Sequence, residues 1–309
     1  MVEGFEPISE ADARERIKHL QNLNTEIRSI GELKEEISTR GLRNEGVILD
    51  EGTTIYRART LEEQPAQVSD LSYPPEDITG LNRANRKHDP MFYASSGAGA
   101  TVFELDPDIE EKVAILKWRT TEEITLNTIG YNPEVLRQLD SSREENEIPG
   151  DKLADDESRG NFMMRKYFSK LFTKRVPENE KHRHKLTAAI AENWRSGPPI
   201  DGIMYPTVRM WGNQDNLAIE TEVVDKAIEP ISAEFIEMQG KEDKEIEKET
   251  LDTCTTIEND ELQWNGHGYR WELENDGAWA EFEVEGGSWK VGDSGRGGAT
   301  PLHDPNFEY

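Results

Sequence analysis

Arg83, Tyr93 and Glu104 are the side chains of this sequence whose types and spacing best suit joint chemistry. Arg83 belongs to the polar, basic loop Gly80-Leu81-Asn82-Arg83-Ala84-Asn85. Tyr93 belongs to the apolar run Met91-Phe92-Tyr93-Ala94-Ser95, and Glu104 to the helix-forming run that starts at Ala98. The three therefore come from successive elements, each at or near an element's end. A guanidinium offers a planar fork of donors for phosphate oxygens. A phenol stacks on a flat ring, and a carboxylate accepts from ribose hydroxyls or faces a developing cation. The same residues also fit a surface arginine, a core tyrosine and a solvated helix acid, and the stretch alone leaves both readings open.

Bulk properties narrow the classes. At 309 residues, with 34% hydrophobic and 32% charged, the chain can bury a core of one or two domains. A net charge of -27 argues against nucleic acid and anionic membranes as partners, since both require a basic face. No apolar run reaches the ~18 residues of a membrane span, and the first residues lack a signal peptide's basic and apolar regions. With Cys254 the only cysteine, an intrachain disulfide is excluded and no cysteine-based metal site is indicated. The expectation is a soluble, acidic, cytoplasmic protein.

Helices and strands along the chain must position the three residues. Ser9-Glu10-Ala11-Asp12 signals a helix start, and Ile17, Leu20, Leu23 and Ile27 continue it as an apolar stripe. A second short helix covers about 31–39, and residues 1–45 form an N-terminal helical extension. Strands are predicted at Val47 to Leu49 and Thr53 to Arg59, the latter placing Arg57 and Arg59 on one face, where arginines are commonly solvated. Lys112 to Trp118 and Glu123 to Thr128 read as a strand pair, and polar Ser141 to Ser158 as a mobile excursion. Helices follow around Phe162–Phe172 and 179–195. Then come a buried strand ending at Pro206, a short strand at Asn216 to Ile219, and a partly alternating stretch from Glu229 to Met238. The charge run Lys241 to Glu249 reads as a solvated face or linker. It divides a main domain, 46–240, from a β-rich module, 241–309, with a hairpin at Asn275-Asp276-Gly277. Ala278, Ala280, Phe282 and Val284 are expected on one side of that module, and the tail from Asp293 to be flexible.

Tyr56-Arg57-Ala58-Arg59, Gly80 to Asn85, Phe92 to Ser95 with Glu104, Gly202-Ile203-Met204-Tyr205-Pro206-Thr207-Val208 and Asn216-Leu217-Ala218 together resemble the ordered blocks of the RES domain. The resemblance covers roughly residues 46–235 and implies an α+β fold: a mixed β core with flanking helices, similar to ADP-ribosyltransferases. It also implies cleavage of NAD at the nicotinamide–ribose bond, to water or phosphate, by a toxin or defence effector. NAD is then substrate rather than cofactor, no metal is used, and the candidate partners are an antitoxin protein and a second copy of the chain. By the same resemblance Arg83, Tyr93, Glu104 and Thr207 are catalytic, and Arg57, Arg59, Asn85 and Ser95 bind the dinucleotide. Arg83, backed by Arg57, would hold the pyrophosphate in a locally positive patch with Arg86 and Lys87. Tyr93 would orient nicotinamide, and Glu104 would face an oxocarbenium-like cation. Thr207, on the cleft's rim, stands where the family usually has serine, and the arginine block is longer than usual. Transfer of ADP-ribose to protein and ligand binding without turnover are the alternatives.

Overall fold

Two serines start the first helices. Ser9 Oγ accepts from the Asp12 N–H at 3.1 Å ahead of α1 (Glu10–Gln21), and Ser29 forms a reciprocal capping box with Glu32 ahead of α2 (Ile30–Glu36). The computed structural model describes residues 6–37, 39, 42, 46–144, 147–149, 158–196, 200–242 and 245–266, and the strand backbones within 268–302. Next in order come β1 (Gly46–Leu49), β2 (Thr54–Thr60), β3 (Met91–Ser95), α3 (Ala98–Leu105), β4 (Lys112–Thr120), β5 (Ile124–Thr128), α4 (Pro133–Gln138) and α5 (Arg159–Phe172). After them run α6 (His184–Arg195), β6 (Gly202–Pro206), β7 (Asp215–Glu220), α7 (Thr221–Ala227), β8 (Ile228–Glu242), β9 (Glu245–Glu258) and β10 (Glu261–Trp264). The last four are β11 (Gly268–Glu272), β12 (Ala278–Glu283), β13 (Ser288–Asp293) and β14 (Thr300–Leu302). Among the described residues no helix is long and apolar enough to cross a membrane.

The chain divides into two units. The first contains residues 1–56, 72–104 and 119–229. Its strands run in the order β1-β5-β6-β7-β3, and β2 begins beside β3 through Tyr56 opposite Ser95. Only β5 and β6 are parallel among these pairs, so the sheet is mixed. One core joins its face to the helices: Met91, Ile203, Tyr205 and Ala218 from strands, Met164, Phe168 and Phe172 from α5, and Leu186 and Ile190 from α6. Ala13 and Leu20 of α1 and Leu33 of α2 are buried in that same cluster, so the N-terminal helices share the core.

The register of this sheet places Asn216 between two polar neighbours. Asn216 on β7 lies opposite Ser95 on β3 and opposite Tyr205 on β6, and Ala218 likewise joins Tyr93 to Ile203. Because side chains alternate with a period of two, these residues share one face. Gly202 makes the β6–β7 approach achievable: a Cβ there would lie 2.3 Å from the Ala218 carbonyl oxygen.

Some expectations are corrected. The runs containing β4 and β5 form no pair with each other, because β5 lies between β1 and β6. At the described start of the Ser141–Ser158 segment, Ser141 Oγ and the Ser142 N–H both donate to Asn213 Oδ1, at 2.9 and 2.8 Å, and most of the segment read as a mobile excursion lies outside the described residues. Arg143 Nη2 donates to Asp215 Oδ1 at 2.7 Å in the same region.

The second unit contains residues 57–71, 105–118 and 230–309. Its strands run β2-β4-β8-β9-β10, with a separate meander β11-β12-β13-β14. Of the two readings of the Lys241–Glu249 charge run, the described residues form the solvated face: Lys241 lies opposite Ile246 and Glu237 opposite Glu249 where β8 pairs with β9. Alternating charges along an exposed ladder satisfy the backbone while keeping side chains wet. β10, within the stretch read as a β-rich module, pairs with β9. The Asn275-Asp276-Gly277 turn, the side-chain directions from Ala278 to Val284 and nearly all of the tail lie outside the described residues.

Candidate functional site

The loop before β3 is organised by its own side chains. Asn85 is 0% exposed and donates through Nδ2 to the carbonyls of Gly80 (2.9 Å) and Arg86 (2.7 Å). Its Oδ1 accepts the Tyr93 hydroxyl at 2.7 Å, and that hydroxyl accepts from the Ala84 N–H at 3.1 Å. Asn85 is thus sealed and shapes the loop. Tyr93 remains half-buried.

This loop delivers the Arg83 guanidinium to the end of α5. Nη1 donates to the Leu171 and Phe172 carbonyls at 3.3 and 2.6 Å, and Nη2 to the Lys174 carbonyl at 3.2 Å. Carbonyls at a helix end lack intrahelical partners and carry its negative dipole, so a cation is favoured there. Arg83 is half-buried, and its Nε hydrogen and second Nη2 hydrogen have no partner among the described residues. The sequence showed the charge but not this second task.

Glu104 reaches the same sheet face from α3. Its Oε1 accepts from Asn216 Nδ2 at 3.0 Å, while Asn216 Oδ1 accepts the Ser95 hydroxyl at 2.8 Å. Ser95 and Asn216 are 3% and 7% exposed, whereas Glu104 is half-buried. The Ser95 hydroxyl is thus engaged by the Asn216 amide. Glu104 Oε2 has no partner among the described residues.

Tyr205 ties these pieces together. Burial holds its phenol well above the usual range; Tyr93 and Glu104 push the same way and Arg83 opposes them. One buried ring thus lies within electrostatic range of all three residues, and it packs edge-on against Phe172 at 5.7 Å. His184, at the start of α6, also feels Arg83. Burial, then Arg83 and Lys181, push its pKa down to about 4, with Glu178 opposing. Tyr205 and Asn216 sat in the matched sequence blocks but carried no assigned role. Nothing in the sequence singled out His184.

Thr207 is 0% exposed rather than on a rim, enclosed by a turn in which its N–H donates to the Gln214 carbonyl (2.9 Å) and its carbonyl accepts from the Gly212 N–H (2.8 Å). Its hydroxyl is buried without a partner among the described residues. Arg57 and Arg59 belong to the second unit, where Arg59 Nη1 donates to the Asp70 carbonyl at 2.6 Å. Arg86 adds little positive field, because Glu192, 7% exposed, pairs with its guanidinium, Nε to Oε1 at 2.7 Å. The cavity of about 750 Å³ lined by Ile17, Phe162, Tyr167, Lys166 and Lys170 shares no residue with this cluster.

Helices packed on one face of a mixed sheet define an α+β domain. The family model of the RES domain matches residues 54–236, well over half of the chain. The protein belongs to the RES domain family, whose members are NAD-acting and toxin-like. Comparisons with curated proteins and with solved structures gave no match.

Proposed function

We propose that the chain cleaves NAD at the nicotinamide–ribose bond and acts as a toxin or defence effector. The observation that carries this reading is that β3 links all three residues: the Tyr93 hydroxyl binds the Arg83 loop through the Ala84 N–H, and Ser95, two residues on, connects through Asn216 to Glu104, whose second oxygen has no partner among the described residues. The donors of Arg83 without a partner among the described residues would hold a pyrophosphate oxygen. The Tyr93 ring would lie against nicotinamide. As the C1′–N bond breaks, its electron pair leaves with nicotinamide and positive charge grows on the ribose. Glu104 Oε2 would face that charge, and water or phosphate would complete the substitution at C1′.

The test is nicotinamide release from NAD by purified protein, with and without phosphate. Release is expected, falling by about 100-fold or more in Glu104→Gln, because a carboxylate aimed at developing charge supplies a few kcal/mol of barrier lowering. No release, or equal release by the variant, refutes the reading. ADP-ribose found attached to protein would assign transferase chemistry to the same residues. Co-purification of an antitoxin from the native host, relieving growth arrest on co-expression, tests the toxin role.

A further inference from the structure

We infer that Asn216 is the positioning residue for Glu104, and that the Ser95 hydroxyl fixes the direction of its amide. The consequence for rate rests on the NAD reading; the geometry does not.

The direction of the relay follows from donor and acceptor chemistry. An ionised carboxylate has no hydrogen to give, so the amide must turn its Nδ2 toward Glu104. This leaves Oδ1 facing Ser95, which is then obliged to donate, as the 3.0 and 2.8 Å contacts show. A flipped amide would set Oδ1 against the carboxylate oxygen, two acceptors facing each other with no hydrogen between them. At 3% and 7% exposure, Ser95 and Asn216 have little water to turn to instead.

Position makes the relay rigid. Ser95 and Asn216 are direct cross-strand neighbours on β3 and β7, so their backbones are held by the sheet ladder. Glu104 has no comparable support: it is the penultimate residue of α3, and its carboxylate makes its one side-chain bond among the described residues to Asn216. Without that amide the side chain is free to sample other rotamers. With it, Oε1 is held and Oε2 is left for another partner, the division a charge-stabilising carboxylate requires.

Asn216→Asp is close to isosteric and places a second carboxylate against Glu104. The pair should then share a proton, moving the acid limb of the pH–rate profile up by about one pH unit or more, with KM changed less than kcat. A wild-type acid limb in the folded variant overturns the inference. Titration of the carboxyl carbons of Asn216→Asp, read by difference against the Asn216→Asp/Glu104→Gln double variant, gives the answer without turnover. Coupled, two-step behaviour supports the relay and independent titration overturns it, even if NAD is not the substrate. Should Asn216→Asp fail to fold, Ser95→Ala decides. A kcat loss of about fivefold at constant KM is expected, the kinetic equivalent of one ordinary hydrogen bond, with recovery in Ser95→Thr. Unchanged kcat in Ser95→Ala overturns the inference.

Discussion

Replacing Arg83 by alanine should weaken the fold as well as any catalysis, by an amount the structure allows to be worked out. The substitution deletes donors to the Leu171, Phe172 and Lys174 carbonyls, and Phe172 itself is 0% exposed. Hydrogen bonds from a charged donor contribute ~1.5–3 kcal/mol each when well buried. This guanidinium is half-buried and two of its contacts are long, so the three together are taken at roughly 2–3 kcal/mol. Loss of a cation at the end of α5 adds about 0.5 kcal/mol. The expected cost is therefore about 2–4 kcal/mol, read as a lower urea midpoint and faster amide exchange at Thr173, the residue closing α5. Arg83→Lys keeps the charge but offers no fork, and should recover only a minor part of the loss. The same alanine variant removes a positive charge that depresses His184, so that histidine should titrate above its present value of about 4. An unchanged urea midpoint together with an unshifted His184 would refute the helix-end role, and NAD turnover could then be assigned to the guanidinium without this structural component.

Other outcomes rest on single features. His184 is neutral in the folded chain because its pKa is lowered from 6.5 to about 4, whereas the unfolded chain takes up the proton below 6.5. Stability should fall as pH drops through that window, and His184→Gln should remove up to about 3 kcal/mol of the fall, measured by urea titration at pH 7 and 4.5. Gly202→Ala drives a Cβ to 2.3 Å from the Ala218 carbonyl oxygen, so β6 and β7 must separate. Soluble yield and nicotinamide release should drop together, and a variant of wild-type melting behaviour would contradict the close approach. Because Asn216 and Tyr205 sit on these two strands, the substitution disturbs the site through its scaffold.

What the sequence determined by itself is local. The Ser9 cap, the apolar stripes of α5 and α6, and the buried strand that stops at Pro206 follow from the periods of helix and strand and from backbone chemistry a few residues apart. The residue blocks around Arg83, Tyr93 and Glu104, and with them the family, were also readable in order along the chain. Pairing was not. Periodicity marks β4 and β5 as strands without saying that β5 belongs between β1 and β6, since partners are selected by packing across long separations. Composition likewise left Lys241–Glu249 open between a solvated face and a linker until its partner strand was known. The division of labour among the polar residues was a tertiary matter for the same reason. Arg83 serves a helix end that lies far along the chain, Ser95 turns to Asn216, Asn85 turns inward, and Thr207 is enclosed. A side chain's type fixes which bonds it can make; only the folded neighbourhood decides which partners remain when water is excluded.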